Sequence, residues 1–239
     1  MAEPIFVLIH SPLVGPYTWM LVAEELIRGG FPTIVPALVS PAGSRAPFWE
    51  QHALAVSASL GAYPKSQPAI LVGHSGAGPL LPAIRQKMDH PISGYIFADA
   101  GLPENGKSRL DLFNSPQAVD QFRQAAQDGQ IPAWTSEDLR EVIPDDQTRW
   151  RFTSELRPLP LAVYEEPLPV FEGWPDAPCG YLRFGLNPAY ELSVKRAEQE
   201  GFSIVQVPGE HFHMLVEPGE VAQALVDLSA GWRGAARYE

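Results

Sequence analysis

Residues 69–78 read Ala69-Ile70-Leu71-Val72-Gly73-His74-Ser75-Gly76-Ala77-Gly78. The apolar run suits a strand covered on both faces, and the small-x-Ser-x-small string after it suits a sharp turn into a helix. A serine on such a corner sits in strained backbone with its hydroxyl projecting from the sheet edge. Its neighbours must be small so that strand and helix can close on each other. Ala77 stands where the string usually ends in glycine, and alanine still fits the corner. A bare Gly/Ser string would serve equally as an ordinary turn. The strand before it and the helical pattern behind it make Ser75 the candidate nucleophile.

Working outward, the chain alternates strand-like and helix-like segments. Ile5–His10 is a continuous apolar run. Trp19, Val22, Ala23, Leu26 and Ile27 recur at helical spacing, and Gly29-Gly30 ends that helix. A strand is predicted over 33–38, a helix over 48–60, and a helix from Ser75 to about Met88 that Pro82 should weaken. Strands over 94–98, 180–184 and 202–207 follow, with helices over 189–200 and 220–228. Such alternation implies an α/β fold with a mostly parallel, doubly wound sheet and right-handed crossovers.

Between Pro103 and Pro178 the alternation stops. Amphipathic pieces at 117–127, 137–142 and 146–152 precede a proline-rich run over 157–169, and no core strand is evident. A structureless loop of that length is rare in a compact domain. Residues 103–178 are therefore expected to form a helical cap over the catalytic corner, inserted into a core made of 1–102 and 179–239.

Composition bounds the function. With 28 acidic residues against 17 lysines and arginines, the net charge of −11 opposes binding to nucleic acid or an anionic membrane surface. The single Cys179 cannot form an internal disulfide, and Met1-Ala2-Glu3-Pro4 opens without the basic and apolar regions of a secretion signal. A cytoplasmic protein acting on a small molecule is the expectation, and a homodimer is compatible with it. No dinucleotide fingerprint or phosphate loop occurs, so no cofactor is expected.

A serine hydroxyl needs a base within reach and an acid to orient that base. Of six histidines, His10 and His74 flank strand ends and read as structural, while His52 and His90 read as solvated. His211, in Gly209-Glu210-His211-Phe212-His213-Met214 after the last strand, is the best-placed base. His213 reads as packing beneath the cap. A His-x-His pair can also bind metal, but no third ligand lies nearby at suitable spacing, and no metal is expected.

In these residues and their order the chain resembles the α/β-hydrolase superfamily over nearly its whole length. It looks closest to the branch of hydroxynitrile lyases and plant-type methylesterases. The segments that carry the resemblance are His10-Ser11-Pro12-Leu13-Val14-Gly15-Pro16-Tyr17-Thr18-Trp19, Gly73 to Gly78, and His211 to Pro218. The resemblance implies Ser75 as nucleophile and His211 as base. It also implies an acid near Asn187, which cannot carry the charge. Some relatives, such as many haloalkane dehalogenases, place the acid after the preceding core strand, where this chain has Asp99. A carboxylate closing an apolar run needs a partner to justify burial, so Asp99 is the preferred acid and Glu191 its rival. The bland alternative has Asp99 capping local backbone N–H groups and Asn187 orienting the histidine.

By the same resemblance, the N–H of Gly76 would be one oxyanion donor and an N–H of the first loop the second. Pro12 has none to give, leaving Leu13 N–H, the Ser11 hydroxyl, or a hole one donor short. Hydroxynitrile lyases carry a hydroxyl residue like Ser11 but follow the catalytic histidine with lysine, where this chain has Phe212; cyanide chemistry is disfavoured. The region 103–178 carries Phe113, Phe122, Trp134, Trp150, Phe152, Tyr164, Phe171 and Trp174, which suits an apolar substrate although many of these rings should only pack the cap. The leading expectation is a serine hydrolase that cleaves an ester, thioester or lactone through an acyl-enzyme. A lyase or cyclase using His211 for proton transfer stands behind it, and a non-catalytic receptor third.

Overall fold

A computed structural model describes residues 2–38 and 45–232. The last seven positions assigned above to the core, 233–239, lie outside the described residues. Strands β1 (Ile5–Ile9), β2 (Thr33–Ile34), β3 (Ala69–His74) and β4 (Ile92–Ala98) enclose helices α1 (Tyr17–Arg28), α2 (Phe48–Ser59) and α3 (Leu81–Gln86). Next come α4 (Pro116–Ala125), β5 (Gln130–Ile131), α5 (Asp146–Glu155), β6 (Leu159–Pro160) and α6 (Ala162–Glu165). The chain closes with β7 (Cys179–Phe184), α7 (Glu191–Gln199), β8 (Ser203–Val207) and α8 (Pro218–Ser229).

Six strands form one parallel sheet in the order β2-β1-β3-β4-β7-β8. Alternate residues supply two cores. Phe6, Leu8, Ile70, Val72, Ile96 and Leu182 face Trp19, Val22 and Leu26 of α1 and Val221, Leu225 and Leu228 of α8. Ile5, Val7, Ile9, Leu71, Tyr95, Phe97 and Tyr181 face α2, α3 and α7 through Val56, Ile84 and Val194. Each such side chain contributes about 1.5–3 kcal/mol by leaving water, so both faces must be covered. That is why the strands read as unbroken apolar runs rather than alternating ones.

The strand order reverses between β1 and β3, and a sheet of this kind opens its ligand crevice at the carboxyl ends beside that point. Register brings the loops together there. Ile9 lies beside Gly73 and His74 beside Ala98, so the Ser11 loop, Ser75 and Asp99 leave neighbouring strands nearly level.

Several expectations are corrected. The second strand spans two residues rather than 33–38, because Pro36 has no N–H for a ladder. Downstream of it, the Leu38 N–H is bonded to His10 Nε2 at 3.3 Å. The helix after Ser75 is a 3-10 turn over Ser75–Leu80 followed by the short α3. Pro79 and Pro82 supply no N–H for a continuous α-helix there. His52 and His90 are buried, not solvated.

Between β4 and β7, α4 and α5 fall on two of the amphipathic pieces, with Ser115 and Asp145 as N-caps accepting from the Ala118 and Thr148 N–H groups. The third piece, 137–142, is a run of turns. β5 and β6 pair antiparallel, apart from the main sheet. Among the described residues no helix is long and apolar enough to cross a membrane.

Candidate active site

Ser75 follows β3 with φ +56°, and Asp99 follows β4 with φ +44°. Both are non-glycine residues in the left-handed region, each costing roughly 1–3 kcal/mol that the surrounding packing must hold. At the serine corner, a Cβ on Gly73 would come 3.1 Å from the Ala77 backbone, so a larger residue at the first glycine of the string would crowd the turn while Ala77 is accommodated. At the aspartate corner, the Tyr181 hydroxyl accepts from the Ala100 N–H at 3.0 Å and donates to the Ala100 carbonyl at 2.8 Å. Burial raises the Tyr181 phenol well above its ordinary range, which keeps it protonated as that brace.

Asp99 is wholly buried, and its Oδ2 accepts from His211 Nδ1 at 2.6 Å and from Asn187 Nδ2 at 2.6 Å. Asn187 therefore touches the carboxylate, not the histidine. Its own Oδ1 accepts from the Ala189 N–H at 3.1 Å, capping the turn it begins. Glu191 is drawn elsewhere: Arg183 holds it at 2.6 Å and Lys195 lies 3.5 Å away, so the rival acid is engaged by cations on its own side of the sheet.

The imidazole of His211 is one-quarter exposed and lies 4.4 Å, centroid to centroid, from the ring of His74. His74 Nε2 donates to the His211 carbonyl at 3.0 Å. Burial, and then the nearby His211, push the His74 ring well below its usual range, so it stays neutral and pins the loop. Burial likewise lowers His10 to about 4; its Nδ1 donates to the Ser11 carbonyl at 2.8 Å. His213 bonds to Glu220 on α8 at 2.8 Å rather than packing beneath the inserted segment.

Ser75 and His211 line one cavity of about 430 Å³. No hydrogen bond joins Ser75 Oγ to the His211 ring. The serine instead shares a 3.0 Å hydrogen bond with the Tyr190 hydroxyl, and the Tyr190 ring stacks on His211 at 5.4 Å and 17°. Burial raises the Tyr190 phenol, so it is neutral at this contact. Sequence reasoning missed this residue, although it lies three positions after Asn187 in the loop searched for the acid.

On the opposite side, the Leu13 N–H reaches Ser11 Oγ at 3.4 Å and Ser11 Oγ lies 3.2 Å from the Tyr164 hydroxyl. Arg109, also unforeseen, donates from Nε to the Gly76 carbonyl at 2.8 Å and from Nη1 to the Val163 carbonyl at 2.7 Å. Glu166 is its nearest counter-charge at 3.8 Å, and burial lowers the guanidinium while raising that carboxyl. Phe113, Phe122, Trp134 and Tyr164 from the inserted segment line the cavity. Phe152, Phe171 and Trp174 pack against other rings, and Trp150 faces solvent. Among the described residues no group of three or more His, Cys, Asp or Glu is arranged to hold a metal ion.

The fold and the family have counterparts among known proteins. The chain is 26% identical, over 93% of its length and 98% of the relative's, to a carbendazim-hydrolysing esterase from a Nocardioides species. An extracellular α/β-hydrolase from a Paenibacillus species, described as sharing structural and functional homology with tobacco salicylic acid binding protein 2, superposes with a TM-score of 0.76. It is 22% identical, with 95% of this chain and 99% of that one covered. Tomato methylketone synthase I in complex with 2-tridecanone superposes at 0.74 with 14% identity, covering 97% and 100%. The profile of the alpha/beta hydrolase family matches residues 6–224. Nearly the whole chain is spanned by that match, and the protein belongs to the α/β-hydrolase family of enzymes.

Proposed function

We propose that the protein is a serine hydrolase that cleaves an ester, thioester or lactone of a small hydrophobic compound through an acyl-enzyme on Ser75. The observation that carries this reading is the 2.6 Å contact of His211 Nδ1 with the buried Asp99, made by an imidazole that shares its cavity with the strained Ser75. Asp99 would hold the ring in the tautomer whose Nε2 is free to accept a proton. On substrate binding the serine leaves Tyr190, and its proton passes to His211 as Oγ attacks the carbonyl. The Gly76 N–H receives developing negative charge. His211 then returns the proton to the leaving alcohol or thiol, and water attacks the acyl-serine by the same base.

The segment over 103–178 acts as a lid in this reading, since it supplies four aromatic rings to the cavity wall. Those rings favour an apolar acyl or alcohol group, and the esterase name of the Nocardioides relative supports ester cleavage. A cytoplasmic setting suits the buried, unpaired Cys179.

Treatment of the folded protein with a serine-directed fluorophosphonate, read by intact mass, should give one adduct, absent in Ser75→Ala. Hydrolysis of p-nitrophenyl esters should show a burst of nitrophenol equal to the enzyme present. An unlabelled Ser75 would favour the second reading, a lyase or cyclase with His211 as the only proton carrier. The bond of Ser75 Oγ to Tyr190 instead of His211 is the observation in its favour.

A further inference from the structure

We propose that Tyr164 is an oxyanion donor of this site, brought by the inserted segment to the place that Pro12 leaves without an N–H. The proposal rests on the acyl-enzyme reading above.

The first loop is short of donors. Pro12 has none, and the Leu13 N–H is turned toward Ser11 Oγ at 3.4 Å. The Tyr164 hydroxyl fills the gap from the other side. A Cβ built on Gly76 would lie 2.5 Å from the Tyr164 hydroxyl oxygen and 3.1 Å from Ser11 Oγ. Two hydroxyls thus converge beside the residue whose N–H begins the oxyanion site, and a side chain at that position would crowd both of them. They lie 3.2 Å apart. Two hydroxyls carry two protons, and their mutual hydrogen bond uses one. With Ser11 donating to the phenol, the Tyr164 proton is free for a substrate oxygen in the cavity that the tyrosine lines.

The phenol is also held in place, as a preorganised donor must be. Its ring stacks on Phe122 at 4.9 Å and 29°, and the Arg109 guanidinium lies 5.7 Å over its face. That guanidinium bonds the carbonyl of Gly76 and the carbonyl of Val163, the residue before Tyr164. One buried cation therefore ties the serine corner to the element that carries the hydroxyl. Burial keeps the phenol protonated through neutral pH, while the positive charge beside it strengthens it as a donor. A tyrosine that only anchored the lid would need neither the fitted glycine nor the shared clamp.

The test is Tyr164→Phe, which keeps the ring and removes the donor. With an activated ester, kcat should fall about 10²–10³-fold with KM within about threefold. A trifluoromethyl ketone, which forms a tetrahedral adduct on the serine, should lose affinity by a similar factor. The corresponding unreactive amide should bind as before. Should the variant fail to fold, 3-fluorotyrosine incorporated at position 164 keeps both ring and hydroxyl. Its more acidic phenol should move the alkaline limb of kcat to lower pH, a shift that a purely structural tyrosine would not produce. Fluorophosphonate labelling of Ser75 is run alongside. If Ser75 is labelled and Tyr164→Phe keeps kcat within threefold, or the fluorinated enzyme keeps the wild-type pH profile, Tyr164 is not a donor and the acyl-enzyme reading stands. If Ser75 resists labelling in the wild type, both fall together.

Discussion

Asn187 donates its side-chain amide to the same oxygen of Asp99, at 2.6 Å, that accepts from His211. The amide hydrogen-bonds the buried carboxylate without placing a second charge beside it. Asn187→Asp should not improve the enzyme. Two carboxylates at that separation cannot both ionise readily, so one would hold a proton at neutral pH and the imidazole would lose its full counter-charge. kcat/KM at pH 7 should fall at least tenfold and recover in part as pH rises. Asp99→Asn should cost about 10³–10⁴ in kcat, since a neutral amide permits the wrong imidazole tautomer. Equal activity of Asp99→Asn and the wild type would remove Asp99 from the mechanism.

The Ser75 hydroxyl is bonded to the Tyr190 hydroxyl at 3.0 Å and not to the His211 ring. Removing only the phenol hydroxyl, in Tyr190→Phe, should release Ser75 while the ring still stacks on His211. Fluorophosphonate labelling should quicken about two- to fivefold, a gain on the order of 0.5–1 kcal/mol from a lost neutral hydrogen bond. A tenfold slowing in a stopped-flow labelling assay would make the phenol a participant rather than a restraint.

His10 ties stability to pH. Burial lowers its folded-state value to about 4 from the ordinary 6.5. Between those values the unfolded chain binds the proton and the folded protein does not, so stability rises with pH across that window and drops as pH falls below about 6.5. The loss is complete near pH 4 and amounts to roughly 3 kcal/mol, with His74 acting in the same direction. The urea midpoint should therefore be markedly lower at pH 5 than at pH 7.5, and less so in His10→Gln. Equal midpoints would mean that the ring is charged or solvated in the folded state.

Trp134 sits at the cavity wall, 38% exposed and edge-on to Phe212 at 5.8 Å. Trp134→Ala should raise KM for aryl or long-chain esters about tenfold, near 1.4 kcal/mol of apolar contact, and leave kcat within twofold. Acetyl esters, too small to reach the indole, should be unaffected. A uniform loss across chain lengths would move the binding pocket elsewhere.

The core of the fold was legible because parallel strands buried on both faces leave long apolar runs and because Gly29-Gly30 marks a helix end. Where legibility failed, proline was the usual cause. Pro36 cut β2 short, and Pro79 and Pro82 divided the segment after Ser75 into two unlike turns. The burial of His52 and His90 was not readable, since a histidine on an amphipathic helix or loop carries no mark of what will cover it. Arg109 left no trace either. Its partners are backbone carbonyls of Gly76 and Val163, which every residue possesses.

Local spacing alone determined that a serine would stand on a strand-to-helix corner and that a histidine would follow the last strand, because these depend on near neighbours in the chain. Which carboxylate meets the imidazole was decided only when parallel register set β3 and β4 side by side and the β8 loop folded back across them. The same is true of the two tyrosines that flank Ser75, at positions 164 and 190. Contacts over separations such as 88, 112, 115 and 153 residues arise from strand order and packing, and no periodicity within one segment encodes them.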